Sequence, residues 1–187
     1  MSYRRPLSLA FLIPAFAGLV VALACIPGCD PPPPEGKEVG NLAPEIVGED
    51  VDGKPIRLSD YRGKVVLVDF WGTWCPPCVQ AVPWLRDVQK KHATDPFVLL
   101  GVSSDGDESA LRDFLGKNKM EWPEYWDRDR KFQQIWSIRA WPTYIVIDDE
   151  GIVRFRSAGN NPMERAKLED AIKRQLKIVA GRQKANR

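Results

Sequence analysis

The chain reads as an α/β protein built on a central mixed β-sheet with helices on both faces, and three observations point there. Two short runs, Val65–Phe70 and Phe97–Val102, are almost wholly apolar, as strands covered on both faces are. Each is followed by a segment whose apolar residues recur at helical spacing. A later strand pair joined by a tight turn leads into one long closing helix, and this order of elements implies a mixed sheet. At 187 residues there is room for one ordinary domain and a short extension.

The extension comes first. Residues 1–28 carry Arg4 and Arg5 and no other charge, and Pro6 to Ile26 is dominated by Leu, Ala, Val, Phe and Ile. A basic start followed by an apolar stretch is how a secretory signal reads. An uncleaved transmembrane helix is the alternative, since the run is long enough to span a bilayer. Pro14 and Gly18 weaken such a helix. The ending Ile26-Pro27-Gly28-Cys29 resembles a bacterial lipobox, in which cleavage before Cys29 leaves that residue to carry lipid, although Pro27 stands where Ala, Ser or Thr is usual. In either case Arg4 and Arg5 hold the N-terminus inside and the domain is expected on the extracytoplasmic side, anchored by lipid or by helix. Residues 29–39, with the run Pro31 to Pro34, read as a semi-rigid polyproline tether.

The domain is expected over residues 40–181, with a polar tail at 182–187. Asp52-Gly53 joins Ile46–Val51 to Pro55–Leu58 as a hairpin. After the strand Val65–Phe70, a helix is predicted from Pro76 to Lys91, with Val79, Val82, Leu85 and Val88 on its apolar side and Pro83 as a kink. Phe97–Val102 is the second buried strand and Ser109–Asn118 the next helix, with Asp105, Asp107 and Glu108 at its start. A short helix over Arg130–Trp136 leads to the strand Thr143–Ile147, turned by Asp149-Glu150-Gly151 into Ile152–Arg156. The last helix opens on Asn161 as N-cap with Pro162 in the first turn and is expected to reach Val179.

Charge excludes several partners. Setting Arg4 and Arg5 aside leaves 25 basic and 25 acidic residues, so the domain has no basic surplus for nucleic acid. Zinc needs about four ligands, and the domain offers only Cys75, Cys78 and His92. No metal and no separate cofactor are expected.

The chemistry concentrates at Trp74-Cys75-Pro76-Pro77-Cys78, where the first buried strand ends and a helix begins. A cysteine just before a helix meets unpaired N–H groups and the positive end of the dipole, both of which favour thiolate. The three-residue offset places Cys78 in the first turn, near enough to form a redox-active disulfide with Cys75. Pro76 and Pro77 are tolerated because first-turn N–H groups have no intrahelical partner to lose. In this reading Cys75 is exposed and attacks a disulfide, and Cys78 resolves the mixed disulfide. A structural disulfide is the bland alternative, but so short a loop adds little stability.

The stretch Val66 to Cys78 resembles the active-site segment of the thioredoxin superfamily, and most closely its membrane-tethered TlpA/ResA-type thiol–disulfide oxidoreductases. Gly40 to Pro44 and Leu58 to Lys64 resemble the N-terminal hairpin region that this branch shares with peroxiredoxins. Phe114 to Trp126 resembles its extra helix and strand, and Ile138 to Thr143 the loop carrying the family's cis-proline. The resemblance implies a thioredoxin-like fold with an N-terminal hairpin and an inserted helix–strand. It also implies reduction of protein disulfides on the extracytoplasmic face of a bacterial membrane. Apocytochrome c is implied as one substrate, and a membrane electron donor of the DsbD/CcdA type as a partner. Substrate contacts are expected at Trp74, Pro76, Pro77, Trp141 and Pro142, with Trp71 joining Trp74 and Trp141 in an apolar rim. A cis Pro142 would turn the backbone of Trp141 toward Cys75, ready to pair with an extended segment.

Three positions depart from the family. Ala81 replaces the Glu usual three residues after the second Cys, Ala140 replaces a Gly, and Asp69 stands where Asn is common in this branch. Strand alternation sends Leu67 and Asp69 to one face and Val66, Val68 and Phe70 to the other. Asp69 is therefore the expected acid–base partner of Cys78, acting through a water, with a raised pKa. Two other readings fit less well. A thiol peroxidase would want Thr at position 72, which is Gly. A Sco-like copper module would want CxxxC and a distant loop histidine.

Overall fold

The computed structural model describes residues 32–185. The expected signal or anchor and Cys29 lie outside the described residues. The elements run β1 (Val47–Glu49), β2 (Pro55–Arg57), β3 (Val65–Trp71), α1 (Pro76–Lys91), β4 (Phe97–Ser103), α2 (Glu108–Asn118), β5 (Glu124–Trp126), α3 (Lys131–Ile135), β6 (Thr143–Ile147), β7 (Val153–Ala158) and α4 (Pro162–Ala185). A 3-10 turn at Leu58–Tyr61 separates β2 from β3.

β1 and β2 pair antiparallel as the predicted hairpin, with Gly53 supplying the positive φ of +77° at its turn. The main sheet has the order β5-β4-β3-β6-β7. β3, β4 and β5 are parallel, and β6 and β7 are antiparallel to their neighbours. β3 is buried along its whole length, which is why its sequence is nearly continuous in apolar residues. Val65, Leu67 and Trp71 face α1, α2 and α4, meeting Val82, Leu85, Leu111, Leu168 and Ile172. Val66, Val68 and Phe70 face the hairpin and α3, meeting Ile46, Ile56, Phe132 and Trp136.

Three features differ from expectation. α4 passes Val179 and continues to Ala185, into the span expected as a polar tail. Arg182 in its last turns is held by Asp149 at 2.9 Å and Glu150 at 2.9 Å. The expected tether is shorter than residues 29–39, because its C-terminal part packs on the domain. Gly36 N donates to Leu42 O at 2.8 Å, Gly40 N to Val153 O at 2.8 Å, and Lys37 Nζ to Ser137 Oγ at 2.6 Å. α2 begins at Glu108 because the Asp107 side chain caps it, accepting from Ser109 N and Ala110 N. Among the described residues, no helix is long and apolar enough to cross a membrane.

Candidate active site

Where β3 ends, Gly72, Thr73 and Trp74 form a short loop pinned from below. Asp105 accepts from Thr73 N at 3.1 and 3.0 Å, and from the Ser103 hydroxyl at 2.7 Å. Ser104 N donates to Trp71 O at 3.0 Å. The Trp74 indole folds back over Gly72, where any Cβ would collide with it.

This loop delivers Cys75 as the N-cap of α1. Its backbone is extended, at φ −103° and ψ 100°, and its sulfur accepts from Cys78 N at 3.3 Å. Pro76 and Pro77 occupy the first turn, where they forfeit no intrahelical hydrogen bond. Cys75 and Cys78 form a disulfide with S–S 2.06 Å and Cα–Cα 5.3 Å. In this oxidised form Cys75 is 4% exposed and Cys78 2%, so the expected contrast between an exposed and a buried cysteine is absent. The two prolines are exposed.

Trp74 is 53% exposed and meets half-buried Trp141 edge-on, with ring centroids 5.3 Å apart. The Trp141–Pro142 peptide is cis. Pro142 O accepts from Gly159 N at 2.8 Å, and Asn160 Nδ2 donates to Pro77 O at 2.7 Å. The β7–α4 connection thereby touches both the proline loop and the start of α1.

Asp69 lies in the same strand face as Trp71 and is 3% exposed; its Oδ1 has no hydrogen-bond partner. Burial pushes its pKa from the ordinary carboxyl value up to about 8. In register beside it stand Tyr144 of β6 and Gly101 of β4, and beyond Gly101 stands Glu124 of β5. Glu124 is 1% exposed, accepts from Trp71 Nε1 at 2.5 Å, and has an unpartnered Oε2. Its pKa is raised, chiefly by burial and further by the Asp69 charge, with the Trp71 N–H opposing. The Tyr144 hydroxyl, also buried and unpartnered, is raised as well, chiefly by burial. A cysteine pair at a helix start, with a buried, under-bonded acid on the same sheet face, is suited to exchanging disulfides and moving protons.

The redoxin family profile matches residues 38–172. The chain belongs to the redoxin family. The thiol-disulfide oxidoreductase ResA of a Bacillus cereus strain is 31% identical over 130 residues, spanning 70% of this chain and 75% of that protein. ResA of Bacillus subtilis (strain 168) is 33% identical over 114 residues, 61% of this chain and 64% of that one. Among solved structures, a Chlorobium tepidum chain named thiol:disulfide interchange protein DsbE matches with TM-score 0.71 and 29% identity, over 74% of this chain and 98% of that chain. The pneumococcal exposed lipoprotein thioredoxin of Streptococcus pneumoniae strain TIGR4 matches with TM-score 0.59 and 30% identity, over 72% and 98%. This redoxin is a ResA/TlpA-type thiol–disulfide oxidoreductase of the thioredoxin superfamily.

Of the expected site residues, Cys75 and Cys78 are bonded with Pro76 and Pro77 between them, Trp74 meets Trp141, and Pro77 and Pro142 are both tied to the Gly159–Asn160 connection, while Asp69 lies in β3 on the sheet face that carries the cysteines. Trp71 does not join the rim: it is 1% exposed and packs on Phe114 with centroids 5.6 Å apart. An odd position on β3 points it inward with Asp69, a consequence of the alternation that already placed Asp69. Two residues of the redoxin site escape the sequence reading. Asp105 reads as a helix start but holds Thr73, and Glu124 sits in a three-residue strand. The available signal for Glu124 was Gly101, the one residue without a side chain in an apolar strand, which leaves space for a neighbour.

Proposed function

We propose that this redoxin reduces protein disulfides by dithiol exchange outside the cytoplasmic membrane. Cys75 is the attacking thiolate, favoured by the Cys78 N–H and the start of α1. Cys78 resolves the mixed disulfide. Asp69 takes the Cys78 proton through a water, so that a thiolate makes the second attack. Trp74, Trp141, Pro142, Pro76 and Pro77 form the surface that receives an extended substrate segment. Residues 1–28 direct the chain to the membrane, and lipid on Cys29 anchors it. The substrates are disulfide-bearing extracytoplasmic proteins, apocytochrome c among them, and a membrane thiol donor of the DsbD/CcdA type restores the dithiol.

One observation supports the direction most: a fully buried acid with an unpartnered oxygen lies on the sheet face that carries Cys78. An acceptor for the resolving thiol's proton serves the step that completes reduction of a substrate. Single-cysteine variants incubated with a protein disulfide test the roles. Cys75→Ser should be inert, and Cys78→Ser should accumulate a mixed disulfide that mass spectrometry detects. Equal trapping by both variants would refute the assignment. Metabolic labelling with a fatty-acid probe should be lost in Cys29→Ala; labelling that persists there removes the lipid anchor.

A further inference from the structure

After Asp69, Glu124 is the buried carboxyl with the fewest hydrogen bonds among the described residues. Asp105 holds the Thr73 loop, Asp127 caps α3 through Phe132 N and Gln133 N, and Asp148 accepts from Ile152 N and Arg154. Glu124 accepts one N–H, from Trp71, and leaves Oε2 bare. Its carboxyl lies over Gly101, where any Cβ would run into it. The register Asp69–Gly101–Glu124 across β3, β4 and β5 therefore carries this carboxyl from the sheet edge toward Asp69 and Trp71. Both acids then sit on the sheet face that holds Cys75 and Cys78.

Two like charges in one apolar site resist ionising together. We propose that Asp69 and Glu124 hold a single negative charge between them, so that Glu124 competes with Asp69 and sets the pH at which Asp69 can take the Cys78 proton. The proposal rests on Asp69 being that acceptor. Glu124 is then a positioning residue for charge, acting through Asp69.

The neighbours of the pair divide by side. The Trp71 indole N–H favours charge on Glu124, and so does the Trp122 indole N–H, which is buried and makes no hydrogen bond of its own. Asp105, from the β4–α2 connection, opposes charge there. The Tyr144 hydroxyl of β6 lies on the Asp69 side, and the positive charge of Arg165 in α4 favours its ionised form. The Cys75–Cys78 disulfide carries no charge. In the resolving step Cys78 S–H gives its proton to the Asp69 carboxylate. The thiolate attacks Cys75 Sγ, the Cys75–Cys78 bond forms, the bond from Cys75 to substrate breaks, and the electron pair leaves on the substrate thiolate. When the charge sits on Glu124 instead, Asp69 is already protonated and the step stalls.

The test compares the full chain with Glu124→Gln, which keeps an oxygen for the Trp71 N–H. Resolution of a mixed disulfide with a small protein disulfide is followed by stopped flow across pH, together with the 13C titration of the Asp69 carboxyl. With no competing charge, both midpoints should fall by about one pH unit, making resolution roughly tenfold faster on the acid side. Gly101→Ala, which displaces the Glu124 carboxyl without touching either acid or cysteine, should move them the same way. Midpoints that are unchanged or raised in Glu124→Gln overturn the proposal. Should Asp69→Asn resolve at the wild-type rate, the acceptor role of Asp69 fails. Should Asp69→Asn be slow while Glu124→Gln titrates like the wild type, only the competition fails.

Discussion

On the sheet face toward α3, Val66, Val68 and Phe70 meet Leu100, Val102, Ile145 and Ile147, and the carboxyl nearest α3, Asp127, is saturated by two backbone N–H groups. On the face toward α1 and α4 the same strand places Asp69 between Leu67 and Trp71, on the side whose core holds the cysteines, with no partner for Oδ1. Both faces are buried. They differ in whether a buried acid is supplied with donors. A carboxylate given two or three N–H groups stays charged and serves structure, whereas one deprived of them is driven toward its neutral form and becomes able to exchange a proton near neutrality. The under-bonded acids of this redoxin lie on the face that carries the cysteine pair.

The contrast can be broken from the apolar side first. Phe70→Ala should remove about 3–5 kcal/mol of stability by leaving a cavity between β3 and Trp136, since the Phe70 and Trp136 rings lie 6.0 Å apart. Urea unfolding measures the loss, and the pH midpoint of disulfide exchange should stay where it is. A shifted midpoint would mean that the two faces are not separable.

An effect of the same order belongs to Asp69. Its folded pKa, about 8, lies above the unfolded value, so its contribution to stability is fully present below the unfolded pKa. That contribution is lost as pH rises through about 4 to 8, at up to about 1.4 kcal/mol per pH unit. Asp69→Asn should remove this share of the slope and be the more stable protein at pH 8. Denaturation at pH 5 and pH 8 checks it; equal slopes in the two proteins would show that Asp69 is ionised in the fold.

The fold and the cysteine pair were legible because each rests on local signals. The bounds of α1 follow from Cys75, the prolines and an apolar spacing, and the face of Asp69 follows from strand alternation alone. What escaped depends on distant partners. Three residues, Glu124 to Trp126, are too few to show a period, and only the parallel pairing with Gly101 to Ser103 reveals where Glu124 points. The extra turns of α4 depend on Asp149 and Glu150, more than thirty residues earlier. The burial of both cysteines depends on packing that a sequence pattern does not carry.

The resolving step is where the role of Asp69 meets its most direct test. In Asp69→Asn, stopped-flow kinetics should show the first attack by Cys75 nearly unchanged. Release of the mixed disulfide through Cys78 should slow by up to about 100-fold near neutral pH, the usual contribution of a general acid–base group. The loss should shrink as the pH rises and the Cys78 thiol ionises without help. A resolution rate equal to that of the wild type at every pH would contradict a proton-accepting Asp69 and leave the residue as scaffold.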